Sequence, residues 1–143
     1  MKHDDEKILQ EVQHNAGAGM MTINTILDKI GDDEFSLQLS RQSLRYAQLY
    51  NKATEEILRE EGQVYRTGRV EEIMRKGSIH AGTAFNISRG HLAEMMIESS
   101  HRGITGIWKT LQHNRLAAGE SVELAQELVD LEQESIERLR RYL

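Results

Sequence analysis

Two Glu-x-x-His spacings stand out among the residues able to do chemistry: Glu11-Val12-Gln13-His14 and Glu98-Ser99-Ser100-His101. On a helix, residues three apart share a face, so each pair could offer a carboxylate and an imidazole to one metal ion. Dinuclear carboxylate sites in helical bundles use this motif on two helices and a single Glu on each of the other two. Direction argues against such a site here. At about 100° per residue, Glu11 lies about 100° and His14 about 160° from the apolar stripe through Val12. Glu98 falls in the middle of the polar arc of its own helix. Ligands of a shared ion must converge on the bundle axis, and three of these four point elsewhere. With six histidines in a Glu-rich chain, two such motifs are also close to what chance supplies. No Ser-His-Asp order, phosphate loop or nucleophile elbow is present, so the usual hydrolase and nucleotide chemistries have no support.

The polar residues expected to face inward are different ones. Glu132 sits on an apolar face between Val129 and Ile136, and His80 sits between Gly77 and Ala84. Asn15, Gln42, Ser43, Tyr46, Tyr50 and Ser100 also fall on or beside inward faces, and His101 is a candidate neighbour of Glu132. A buried carboxylate costs several kcal/mol unless it is paired or hydrogen-bonded. Tyr46 or Tyr50 is the expected donor to Glu132. The expected role of this layer is to fix helix register; a small ligand or a single metal ion in the core is the alternative. Trp108 is expected in the core.

Five amphipathic segments must position these residues, and no strand pattern competes with them. The first predicted helix runs from Asp4 or Asp5 to Ile30, with Ile8, Leu9, Val12, Ala16, Gly19, Ile23, Ile26, Leu27 and Ile30 inward. Gly31 stops it, and Asp32 or Asp33 can cap the next. The second predicted helix runs to about Glu61, with Phe35, Leu39, Tyr46, Tyr50, Ala53 and Ile57 inward. Gly62 to Gly68 reads as a loop, with Thr67 as a cap. The third covers about Arg69 to Ile87, and Ser88-Arg89-Gly90 breaks it. The fourth, His91 to Leu111, has a stripe of Ala93, Ile97, Ser100, Ile104, Ile107 and Leu111. Beside it runs a second stripe of Leu92, Met96, Ser99, Gly103, Gly106 and Thr110. Its polar arc is narrow, so neighbours should cover it on most sides. The fifth runs from the turn at Ala117–Ser121 to the terminus, with Val122, Ala125, Leu128, Val129, Ile136, Leu139 and Leu143 inward. The second and fifth contain no histidine, although a dinuclear site would need its Glu-x-x-His motifs there.

A faint internal repeat suggests the topology. The first and fourth predicted helices each carry two glycines, Gly17 and Gly19 or Gly103 and Gly106, at similar distances before a Gly-containing turn. Each glycine costs about 1 kcal/mol in a helix relative to alanine, which close backbone approach of the two long helices would offset. Two antiparallel hairpins joined by the third helix make an all-α, ferritin-like antiparallel four-helix bundle with a fifth, crossover helix, expected to be one domain over residues 1–143.

Leu92-Ala93-Glu94-Met95-Met96-Ile97-Glu98-Ser99-Ser100, followed by Gly103-Ile104, resembles a segment of small ferritin-like bundle proteins from clostridia and related bacteria. Asn15, with Gly17 or Gly19 after it, resembles the matching part of their first helix. The resemblance implies the fold and carries no activity with it.

Composition narrows the rest. The chain has 143 residues, no proline and no cysteine, which removes the commonest helix breaker and all thiol chemistry. Its net charge is -5 with signs interspersed, so no face is continuously basic and nucleic acid is not the expected partner. No apolar run reaches the roughly 18 residues of a membrane span, and MKHDDEKI is unlike a signal peptide. The expectation is a cytoplasmic, non-enzymatic, self-associating bundle of structural or accessory role, without cofactor. The alternative is an atypical ferritin-like metal or oxidoreductase protein using iron or manganese. Leu37, Leu44, Leu58 and Met95 suggest a second apolar surface, covered by the third predicted helix or used in a homodimer.

Overall fold

The computed structural model describes residues 1–31, 33–64 and 88–143. Among these residues the regular structure is all helical: α1 (His3–Leu27), α2 (Glu34–Arg59), α3 (Arg89–His113) and α4 (Glu120–Leu139), followed by a short 3-10 turn at Arg140–Tyr142. The third predicted helix, with His80 and the Thr67 cap, lies outside the described residues, as does Asp32.

Local chemistry explains the boundaries. Asp33 caps α2. Its carboxylate accepts from Ser36 N at 3.0 Å, and Ser36 Oγ accepts from Asp33 N at 3.1 Å, a reciprocal capping box. The Ser36 backbone bond, with Arg89 beside it, holds the Asp33 carboxyl below the usual carboxylate range. Arg89 and Gly90 do not break the chain as expected; they form the first turn of α3. Ser88 caps it by accepting from His91 N at 3.2 Å. Gly119, at φ 69°, supplies the left-handed turn before α4. Asp4 and Asp5 begin α1 but also hold the α3–α4 connection. Asp4 accepts from Leu116 N at 2.9 Å, and Asp5 accepts from Ala118 N and Ser121 Oγ.

The helices share one core that includes Leu9, Ile23, Leu39, Ile57, Ile107, Leu128 and Leu139. Cross-helix partners fix the directions. Gln13 pairs with Thr54 and Asn24 with Ser43, so α1 and α2 are antiparallel. Lys52 meets Glu127 and Arg141 meets Glu34, so α2 and α4 are antiparallel. The first turn of α3 packs on Tyr142 and Leu143 while Gly103 lies beside Glu132, so α3 and α4 are antiparallel too. α1 and α4 meet across the middle, which leaves α2 and α3 at opposite corners. Chain ends around residues 65–87 lie far apart: Gln63 is bonded to Gln10 and Glu6 near the start of α1, whereas Arg89 is paired with Asp33 near its end.

Several expected inward positions are corrected. Trp108 is 53% exposed and Leu143 68% exposed, and Ser99 faces solvent. Gln13, Leu49, Leu124, Leu131 and Ser135 are buried instead. No described helix is long and apolar enough to cross a membrane.

Candidate functional site

Glu132 is buried in the middle of α4, with Leu128, Val129 and Leu131 buried around it. Three other helices reach it. From α2, the Tyr46 hydroxyl donates to Glu132 Oε1. One turn earlier, Gln42 Nε2 donates to Tyr46 Oη at 3.3 Å, and Gln42 Oε1 is buried without a hydrogen-bond partner among the described residues. From α3, the buried Ser100 hydroxyl also bonds Glu132. From α1, Asn15 approaches across Gly103: a Cβ on Gly103 would stand 3.3 Å from Asn15 Oδ1 and 3.5 Å from Glu132 Oε2. Asn15 Nδ2 donates in turn to Glu11 Oε1 at 2.7 Å, and that oxygen would lie 3.2 Å from a Cβ on Gly106.

The glycines therefore do something other than was expected of them. At Gly103 and Gly106, the space left by the missing side chain is occupied by Glu132, Asn15 and Glu11, not by an approaching backbone. Gly19 on α1 seats the Tyr46 ring, because a Cβ there would lie 2.8 Å from Tyr46 Cε2. A ring anchored at its hydroxyl by Glu132 and flanked by Gly19 has little freedom to swing.

Burial pushes the Glu132 carboxyl up to about 7, with the Tyr46 and Ser100 hydrogen bonds opposing the rise. Burial, and then the Glu132 charge beside it, holds the Tyr46 hydroxyl well above the ordinary tyrosine value. Tyr46 thus stays a neutral donor, while Glu132 changes charge near neutral pH. The chain Gln42–Tyr46–Glu132 can polarise along its length, and its main consequence is to tie α2 to α4 at one register.

The structure gathers Glu132, Tyr46, Gln42, Ser100 and Asn15 as the sequence suggested. Tyr46 is the tyrosine that reaches Glu132; Tyr50 is half-buried and its carbonyl accepts from Thr54 Oγ1 at 2.8 Å. His101 is exposed on α3 and is not a neighbour of the buried carboxylate, because it lies on the solvent side of the turn that buries Ser100. His80 lies outside the described residues. Ser43 is buried but belongs to a separate contact, donating to Asn24 Oδ1 at 2.8 Å. Of the Glu-x-x-His motifs, Glu98 and His101 are exposed, and His14 Nδ1 lies 3.9 Å from Glu11 Oε2. Among the described residues, no three His, Cys, Asp or Glu side chains gather as they would around a metal ion.

One polar residue was missed. Gln13 is completely buried, and its Nε2 donates to Thr54 Oγ1 at 2.8 Å. Its signal is the row Gln13, Gly17 and Asn24 on the α2-facing side of α1, which is polar or small and so escapes a search for apolar stripes. No protein-family model, curated protein or solved structure matches the chain.

Proposed function

We propose that this chain is a non-enzymatic, self-associating helical bundle of structural or accessory role, working as a homodimer. The observation that carries this reading is the outer face of α2. Leu37, Leu44 and Leu58 are 50%, 61% and 61% exposed, opposite the face that buries Phe35, Leu39 and Ile57. Scattered exposed leucines are ordinary, but these three are spaced by multiples of seven and form one strip suited to a partner helix. Met95 does not extend the strip, since it lies half-buried on α3 at the far corner of the bundle.

The polar layer supports the same reading, because its side chains bond chiefly to one another. Apart from Gln42 Oε1, their hydrogen-bonding capacity goes into holding helix register. A ferritin-like topology is supported by the helix directions. α2 and α3 run the same way, so the chain between them has to link opposite ends of the bundle, as a crossover does.

Sedimentation velocity over a range of concentrations tests the reading. The wild-type chain is expected to be dimeric and Leu44→Glu monomeric. A wild-type monomer at high concentration would overturn self-association. Near-stoichiometric iron or manganese in protein purified without chelator would overturn the non-enzymatic role in favour of a metal protein.

A further inference from the structure

The geometry points to an antiparallel pairing of α2 with α2 of a second copy of this chain, with Leu37 facing Leu58 of the partner and Arg41 facing Glu55 of the partner. This inference rests on the reading of the outer face of α2 as a self-association surface, and it specifies the partner's direction and register.

Three observations carry it. The first is the shape of the strip. Leu37, Leu44, Asn51 and Leu58 follow one another at seven-residue steps, each about 20° short of two full turns. That drift suits two helices wrapped gently about each other.

The second is charge. Along the flank of the strip nearer α4 stand Arg41, Gln48 and Glu55, again at seven-residue steps and all exposed. The neighbouring cations of α2 are already engaged: Arg45 with Glu134, Lys52 with Glu127 and Arg59 with Glu56. Arg41 and Glu55 make no ion pair among the described residues. They are opposite charges placed symmetrically about Gln48. A two-fold axis beside Gln48 brings the same flank of both copies together with direction reversed. Arg41 of each copy then meets Glu55 of the other, twice over. A parallel pairing would instead set this flank against the opposite flank of the partner, which carries Ser40 and Ala47, and would leave Arg41 and Glu55 without opposite charges.

The third is the other flank, where Ser40, Ala47 and Thr54 follow the same seven-residue steps. Ala47 falls at the axis, where a small side chain allows the helices to approach. The leucine strip obeys the same symmetry, since Leu37 meets Leu58 and Leu44 meets Asn51.

The absence of native cysteine makes the register directly testable. Leu37→Cys and Leu58→Cys are prepared separately in the full chain, mixed, allowed to exchange and treated with a short bis-maleimide. A cross-linked dimer is expected from the mixture and not from either variant alone. Arg41→Glu is expected to weaken the dimer about tenfold, and Arg41→Glu combined with Glu55→Arg to restore it. Efficient cross-linking of Leu37→Cys with itself would mean a parallel pair and overturn the inference. A dimer by sedimentation that cross-links in none of these samples would place the interface elsewhere, overturning the register while leaving self-association standing. A monomer that loses thermal stability on Leu44→Glu would mean that residues 65–87 cover this face, and both readings would fall.

Discussion

A carboxylate that changes charge near pH 7 inside a helical core makes stability depend on pH in a definite direction. Glu132 has its folded-state pKa raised from 4.5 to about 7. Between those values the folded chain holds a proton that the unfolded chain has released, so stability falls as pH rises. The expected loss is about 3 kcal/mol between pH 4.5 and pH 7.5, after which this contribution is flat. Glu132→Gln keeps the shape and a Tyr46 partner but cannot ionise. Denaturation curves should therefore show little change for it at pH 5, a gain over wild type at pH 8, and most of this pH dependence gone. Glu132→Ala should cost about 1–3 kcal/mol at pH 5, because it strands the Tyr46 and Ser100 hydroxyls. A wild-type protein whose stability is unchanged across this window would show that Glu132 is not held as described. Much of this cluster was legible in the sequence, since Glu132 interrupts an apolar face and Tyr46 and Ser100 lie on inward faces. The Glu-x-x-His motifs show the limit of spacing, which tells that two residues share a face without telling which way that face points; their direction, read from the apolar stripes, is what argued against them. Trp108 misled by type: its ring is large and apolar, yet it stands on the outer side of α3.

At the scale of the elements, the segments other than the third predicted helix were readable because glycine and capping residues punctuate the apolar periodicity. The boundaries at Asp33 and Ser88 follow from side-chain oxygens that satisfy the first backbone N–H groups of α2 and α3. What the pattern could not convey is what fills the space over a glycine. A helical wheel describes one helix, whereas the occupant comes from another. Gly19 and Gly103 differ for this reason, and their variants should differ too. Gly19→Ala puts a methyl group 2.8 Å from an anchored ring carbon, so it should destabilise by about 1–3 kcal/mol despite alanine's better helix propensity. Gly103→Ala comes closest to the Asn15 oxygen at 3.3 Å, with Glu132 Oε2 in ordinary contact at 3.5 Å, and should be close to neutral, whereas Gly103→Leu must expel Asn15 or Glu132 and should cost more than Gly19→Ala. Urea unfolding of the three variants gives the ranking. If Gly103→Leu were as stable as wild type, the polar layer would not be packed against that glycine.

For the whole molecule, the proposed pairing through a strip outside the core would link association to folding. The bundle buries its own apolar centre without help, so the monomer is expected to fold. Pairing through α2 then adds stability only as far as the dimer is populated. Thermal unfolding of the wild-type chain should depend on protein concentration, with Tm rising by about 2–3 °C for each tenfold increase above the dissociation constant. Leu44→Glu should show a Tm that does not move with concentration and that matches the wild-type value extrapolated to high dilution. The side chain it replaces is exposed in the single chain, so removing it costs the fold little. Mass action distinguishes this from a covered face. Leu44→Glu would then lower Tm at every concentration, and the wild-type Tm would be as constant as the variant's.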